Sequence, residues 1–144
     1  MALFSNRQES NLRSCIGMIE DVIENLGHAP DQSRVETEDV WPAWRIQKGS
    51  AQVNIEIRGR GDDNVLRVSA PLLPLSGAKD PGKLCRRLLE LNARDVTGAA
   101  FALDDGKVVV TAERSTVDLD RSEAMDIVRR VVDYAVHYLA TLPG

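Results

Sequence analysis

The sequence has two histidines, His28 and His137, as candidates for general acid–base catalysis. His28 follows Gly27, at a position where an imidazole commonly lies near the last carbonyls of a helix. His137 lies within a helical pattern of apolar residues. Neither histidine has a partner at the spacing of a metal site, and the sequence lacks the His-Glu-x-x-His and Cys-x-x-Cys motifs. We therefore predict no catalytic residue, no metal ligand and no cofactor.

The glycine-rich and acidic segments also have structural explanations. The Gly-Arg-Gly segment at 59–61 lacks the third glycine of a phosphate-binding loop and precedes no helix, so a hairpin turn is expected. Asp104 and Asp105 are typical of a turn and supply too few oxygen ligands for calcium. Asp118 and Asp120 precede a helical pattern, where the helix dipole favours acidic residues.

The composition limits the class of protein and of partner. A chain of 144 residues with 43% hydrophobic and 28% charged residues is expected to fold as one domain over residues 1–144. A net charge of −4 and an aromatic content of 4% argue against a nucleic-acid partner. No apolar stretch has the length of a membrane span, and no signal-peptide pattern is present, so we expect a cytoplasmic protein. Cys15 and Cys85, each on an apolar helical stripe, are predicted to be buried free thiols.

Three helices are predicted from apolar residues spaced three and four positions apart. The apolar stripes cover residues 12–26, 84–91 and 124–138. Each stripe is bounded by residues that commonly begin or end a helix. These capping residues are Ser5 with Gln8 and Gly27 for the first helix, Asp80 with Pro81 for the second, and Asp120 with Glu123 for the third.

Five strands are predicted from apolar residues that alternate with polar ones. They cover residues 44–47, 52–58, 65–70, 101–103 and 108–112. Short turns separate the first three strands, and an Asp-Asp-Gly turn separates the last two. The predicted fold is therefore α+β, with a five-stranded antiparallel sheet packed with helices in the order α-β-β-β-α-β-β-α.

Five apolar residues near the sheet are the candidate contacts for a partner. Two prolines, Pro71 and Pro74, are expected to end the third strand and leave a rigid apolar extended segment. We expect one tryptophan of the Trp-Pro-Ala-Trp segment to pack in the core and the other to be exposed. Such residues bind polypeptides by apolar burial or by strand addition at a sheet edge. The candidates are Trp41, Trp44, Leu72, Leu73 and Leu75.

The last predicted helix is apolar over a wide arc. Val132, Val136 and Leu139 extend its stripe beyond one narrow face. Because a helix of this kind often makes two contacts, the pattern favours a homodimer.

The order of these motifs resembles the YbjN family of bacterial sensory transduction regulators, whose fold is similar to that of the type III secretion chaperones. The resemblance extends from about Leu12 to Leu139. A tryptophan-bearing strand precedes a Val-x-Ile-x-Ile strand, and four further segments follow in order. These are Leu66–Pro74, Leu88–Asn92, Phe101–Val108 and Asp118–Asp120.

The resemblance implies the same order of helices and strands and adds an expectation about function. Type III secretion chaperones are typically acidic homodimers that hold partly unfolded effector segments along apolar patches. The resemblance implies no catalytic residue that could be transferred to this sequence. We therefore expect a non-catalytic, chaperone-like protein-binding module, with a regulator that binds a small ligand between the sheet and the helices as the alternative. Fold alone does not determine function, so this remains a hypothesis.

Overall fold

A six-stranded antiparallel sheet organises the computed structural model, which describes residues 6–142. The strand order is β1-β2-β3-β4-β6-β5. The helices are α1 (Asn6–Asn25), α2 (Pro30–Ser33), α3 (Pro81–Arg94) and α4 (Arg121–Thr141), with a 3₁₀ turn at Leu75–Gly77. The strands are β1 (Arg34–Val35), β2 (Ala43–Lys48), β3 (Ala51–Arg60), β4 (Asp63–Pro74), β5 (Ala100–Asp104) and β6 (Lys107–Ser115).

The predicted α+β class and the order of the eight main elements are confirmed. The prediction of five strands is wrong by one, because Arg34–Val35 pairs with Trp44 and Ala43 at the edge of the sheet. Two residues are too few to produce an alternating pattern, so no sequence pattern predicts this strand.

One face of the sheet carries the core. Alternate residues of the central strands point toward α1 and α4, and the same alternation places polar residues on the opposite face. Ile55 lies opposite Trp44 on one side and opposite Val68 on the other. All three of these side chains are fully buried. The core therefore lies between the sheet and the two long helices.

The helix ends are formed by local sequence, as predicted. Gly27 adopts a φ of +90° after α1, a conformation that a glycine adopts without strain. The Asp80 side chain accepts a hydrogen bond from the Lys83 amide at 3.0 Å, and Pro81 is the first residue of α3. Asp120 and Glu123 form a reciprocal capping box on α4. The cap predicted at Ser5 lies outside the described residues.

The third predicted strand does not end at Ala70. β4 continues through Pro71 to Pro74, with a bulge between Pro71 and Leu73. Pairing of β4 with β3 stops at Ser69, so beyond that point β4 pairs with β6 alone. Prolines are tolerated in a strand where their missing N–H groups have no ladder partner. This explains why the two prolines do not end the strand.

Candidate polypeptide-binding surface

The predicted leucine segment lies at the end of β4, beside the β5–β6 turn. Leu73 pairs with Val108 of β6, which in turn pairs with Leu103 of β5. The Leu75 amide donates a hydrogen bond to the Gly106 carbonyl at 2.9 Å. Leu72, Leu73 and Leu75 are partly buried against the core and keep part of their side chains in solvent. The segment is therefore fixed in place and still accessible.

Two further leucines, on β5 and on α3, are exposed, and neither was among the predicted contact residues. Leu103 is 52% exposed and Leu89, on α3, is 69% exposed. Asn92 of α3 lies beside Phe101 of β5, and the chain reverses between these two elements. Leu89 lies on the side of α3 that faces away from its buried residues Leu84, Leu88 and Leu91. We call Leu72, Leu73, Leu75 and Leu103 the leucine surface, and Leu89 is a separate exposed position on α3.

A signal for these two leucines was present in the sequence. Leu89 follows Leu88 directly, and two adjacent helical residues cannot both face the same layer of the core. Leu103 occupies a core-facing register position, but it lies near the end of an edge strand, where no helix covers it fully. An apolar side chain that is left outside the core in this way indicates a contact surface.

The two predicted tryptophans lie in different environments, and neither belongs to the leucine surface. Trp44 is fully buried, so its side chain has no surface to offer a partner, and we withdraw it as a contact residue. Trp41 is partly buried and packs over Gly59, where an added Cβ would lie 2.6 Å from the indole. Gly59 pairs with Asn64. At about 3.3 Å per residue, the stretch of β4 from Asn64 to Leu73 spans roughly 30 Å.

The loop that holds Trp41 is organised around Asp39. The Trp41 amide donates a hydrogen bond to the Asp39 carboxylate at 2.9 Å, and this bond is the main cause that lowers the pKa of Asp39. The Arg58 guanidinium also contacts this carboxylate, at 3.1 Å. Trp41 is therefore held at the opposite end of β4 from the leucine surface, and the predicted contact residues form two separate areas.

The two edges of the sheet differ in what their main chains can bind. At β5, the Phe101 amide donates to Asn92 Oδ1 at 2.7 Å, and Asn92 Nδ2 donates to the Phe101 carbonyl at 3.2 Å. At the other edge, β1 covers only the start of β2. Because the outward groups of an antiparallel strand alternate, the main chains of Arg45 and Gln47 face away from the sheet. Outward main-chain groups of this kind are those that an added strand bonds.

The residues of α4 that predicted a dimer contact are mostly buried within the same chain. Val132 is buried, Leu139 is partly buried against the core, and Val136 is 43% exposed. The wide apolar arc of this helix is therefore explained mainly by packing on the sheet. It no longer supports a dimer interface at α4.

The two cysteines are both free thiols. Cys15 is buried as predicted, and burial raises the pKa of its thiol. Cys85 is only partly buried, on the side of α3 that carries Leu89 and Asn92. The prediction of two buried thiols is therefore correct for Cys15 and only partly correct for Cys85.

His137 lines a cleft of about 350 Å³ between α3 and α4, together with Arg87 and Asp95. Its ring lies edge-on to Tyr138, at 4.7 Å between centroids. Burial is the main cause that raises the pKa of the Tyr138 hydroxyl. Within residues 6–142, no hydrogen bond or ion pair joins His137 to Asp95.

Residues 6–142 contain no group of three histidine, cysteine, aspartate or glutamate side chains placed to hold a metal ion. No helix within the same range is both long enough and apolar enough to cross a bilayer.

Comparison with protein families provides the decisive observation. Residues 14–142 match the family described as T3SS (YopN, CesT) and YbjN peptide-binding chaperone 1. The chain belongs to this peptide-binding chaperone family. The match confirms the resemblance to YbjN and to the type III secretion chaperones that the motif order indicated. A comparison with curated proteins found no match.

Solved structures of low sequence identity share the fold of this peptide-binding chaperone family member. A chain of the ExsC–ExsE complex matches with a TM-score of 0.69 at 14% identity, covering 92% of this chain and 96% of that chain. A chain of the HopA1–SchA chaperone–effector complex matches with a TM-score of 0.62 at 13% identity, covering 93% and 98%. The heterodimeric ExoU–SpcU complex from the type III secretion system of Pseudomonas aeruginosa matches with a TM-score of 0.55 at 19% identity, covering 86% and 97%.

Proposed function

We propose that this protein is a non-catalytic chaperone that holds a partly unfolded segment of a partner polypeptide on its leucine surface. The observation that carries the proposal is the set of accessible leucines at one end of the sheet, in a member of a peptide-binding chaperone family. Side chains of a bound segment would cover the leucines, and a partner strand would pair with Arg45 and Gln47 of β2. Trp41 is a second, separate contact area in this proposal.

The structural neighbours support a polypeptide partner. HopA1–SchA is a complex of a chaperone with an effector, and ExsC–ExsE and ExoU–SpcU are also complexes. A partner segment with leucine-like side chains would bury the accessible leucines. This contact requires no fixed partner sequence, because the hydrophobic effect is not directional. Because both cysteines are free thiols, we propose that the protein works in the reducing environment of the cytoplasm.

We further propose that the protein is a homodimer joined through the outer side of α3. Leu89 is 69% exposed at the middle of this helix, next to the ion pair that Arg86 forms with Glu90 at 3.3 Å. A twofold axis near Leu89 would place Arg86 of one copy opposite Glu90 of the other, so the charges around the apolar contact would be complementary. The dimer proposal therefore moves from α4 to α3.

The binding proposal is tested by substituting two leucines of the surface together, Leu72→Ser and Leu75→Ser. The wild-type protein should enrich peptides from a displayed library of random 15-residue sequences. The double variant should bind the enriched peptides about tenfold or more weakly, since each partly exposed leucine contributes on the order of 1 kcal/mol. Fluorescence anisotropy with labelled peptides measures this loss.

The matched control is Val117→Ser, which removes an exposed apolar side chain at the opposite end of β4 and should leave the affinity unchanged. Circular dichroism shows whether each variant is folded. If the folded double variant binds as tightly as the wild type, the leucine surface is not the site. If the wild type enriches no peptide over a selection without protein, the chaperone function itself is wrong.

The dimer proposal predicts that Leu89→Ser lowers the mass in solution. The wild type should have the mass of two chains by light scattering after size-exclusion chromatography, and Leu89→Ser should have the mass of one. The free energy of association should fall because an exposed leucine at the centre of an interface contributes about 2 kcal/mol or more. Val117→Ser again serves as the control, and a monomeric wild type would refute the dimer.

A further inference from the structure

The side chain of Asn92 occupies the outer edge of the sheet at Phe101. Its carboxamide accepts a hydrogen bond from the Phe101 amide at 2.7 Å and donates one to the Phe101 carbonyl at 3.2 Å. A carboxamide presents a donor and an acceptor side by side, as the main chain of a strand residue does. Asn92 therefore binds Phe101 in the way that a residue of a neighbouring strand would.

The edge that Asn92 covers would otherwise be open to another strand. β5 pairs with β6 on one side, and its other side is the last edge of the sheet. Because outward-facing groups alternate along a strand, the main chain of Leu103 also faces away from β6. β5 carries no charged side chain before Asp104, and its Leu103 side chain is 52% exposed. Uncharged edges of this kind favour association with another strand.

Phe101 itself is held firmly, so this edge is preformed. Its side chain is buried, and its ring packs edge-on against Tyr138 at 4.8 Å between centroids. Release of the main chain from Asn92 would not require β5 to move. The exposed groups would already have the extended geometry that a second strand recognises.

We propose that Asn92 is a specificity-determining residue that closes the β5 edge to a second copy of this chain. An uncharged edge strand can pair with its own copy about a twofold axis, with Leu103 of each copy against the other. With Asn92 in place, strand addition is directed to Arg45 and Gln47 of β2, beyond the two residues of this strand that pair with β1 at the other end of the described sheet. This role rests on the proposed function, since it determines which edge the partner polypeptide uses.

Removal of the carboxamide in a monomeric background tests the proposal. The background is Leu89→Ser, which lacks the proposed dimer contact. Adding Asn92→Ala should raise the mass in solution to about twice that of this background at high protein concentration. The mass should not rise further, because pairing through one edge stops at two copies. A further Leu103→Pro should restore the original mass, because proline removes the outward N–H that the pairing needs. Light scattering after size-exclusion chromatography measures each mass.

Two additional variants separate this role from a purely structural one. Asn25→Ala also removes a carboxamide that bonds a main-chain carbonyl, on α1, and should leave the mass unchanged. Asn92→Ser keeps a polar side chain but is too short to bond both groups, and it should associate as Asn92→Ala does. If folded Asn92→Ala and Asn92→Ser both keep the mass of the background, Asn92 does not close the edge.

Hydrogen exchange of the wild-type protein gives a test that requires no variant. The Phe101 amide should exchange at least about tenfold more slowly than the Leu103 amide, because Asn92 accepts a hydrogen bond from the former alone. Equal rates at the two amides would overturn the proposal. Peptide binding by the wild type is measured separately, so failure of the chaperone function would be distinguished from failure of the Asn92 role.

Discussion

Substitution Trp44→Ala is expected to destabilise the fold by about 3–5 kcal/mol, as for other buried aromatic residues in a core. This is a large share of the roughly 5–15 kcal/mol that stabilises a typical domain. Trp44 is fully buried, lies opposite Ile55 of β3, and has the Arg34 guanidinium 5.1 Å from its ring centroid. Chemical denaturation followed by circular dichroism measures the free energy of unfolding.

Two other substitutions make this prediction specific. Trp41→Ala should cost less, about 1–2 kcal/mol, because this side chain is only partly buried. Trp44→Phe should also cost less than Trp44→Ala, since it keeps most of the apolar volume. It also removes Nε1, which is buried without a hydrogen-bond partner in the described part of the chain. A Trp44→Ala variant of normal stability that had lost peptide binding would restore Trp44 as a contact residue.

The parts of the fold that the sequence predicted correctly depend on neighbouring residues. Asp80 and Asp120 each bond an amide three positions later, so their role as caps can be predicted from spacing. The alternation of apolar residues in β3 determines which face is buried, without reference to any other element. Such patterns predicted the order of the elements and five of the six strands.

The parts that the sequence did not predict depend on the arrangement of distant elements. Pro71 is acceptable within β4 because the pairing of β4 with β3 has already stopped at Ser69, which no local pattern indicates. The burial of Trp44, and the distance between Trp41 and the leucine segment, follow from the register of β2 on β3 and from the length of β4. The predicted site residues were therefore of the right chemical type, but the structure does not bring them together.

A buried polar cluster is another feature that depends on distant elements and that the sequence did not predict. Asn64 is 1% exposed, and its Nδ2 donates to the Gln8 carbonyl at 3.1 Å and to Asn11 Oδ1 at 2.9 Å. The Thr116 hydroxyl donates to the same Asn11 oxygen at 2.7 Å, and its oxygen lies 3.1 Å from the Asn64 carbonyl oxygen. The cluster joins α1, the start of β4 and the segment after β6. No spacing rule connects residues so far apart in the chain, although the cluster fixes α1 on the sheet.

This cluster makes Asn64→Asp the second prediction with a large effect, a loss of at least about 3 kcal/mol at neutral pH. The introduced carboxylate would place an oxygen where Nδ2 now donates, facing two acceptors. Asn64→Ala is the control. It removes the same two bonds without adding a charge and should cost roughly 1–3 kcal/mol at every pH.

The effect of Asn64→Asp should depend on pH in a defined direction. Burial and the facing acceptors should raise the pKa of the introduced carboxyl in the folded state above its unfolded value of about 3.9. Between these two values the folded state binds more protons than the unfolded state, so stability falls as the pH rises and recovers as the pH is lowered toward about 4. Chemical denaturation between about pH 4.5 and about pH 8 measures the difference between the two variants. If Asn64→Asp and Asn64→Ala showed the same pH dependence, the carboxyl would not lie between these acceptors, and α1 would not be fixed to the sheet by the Asn64 amide.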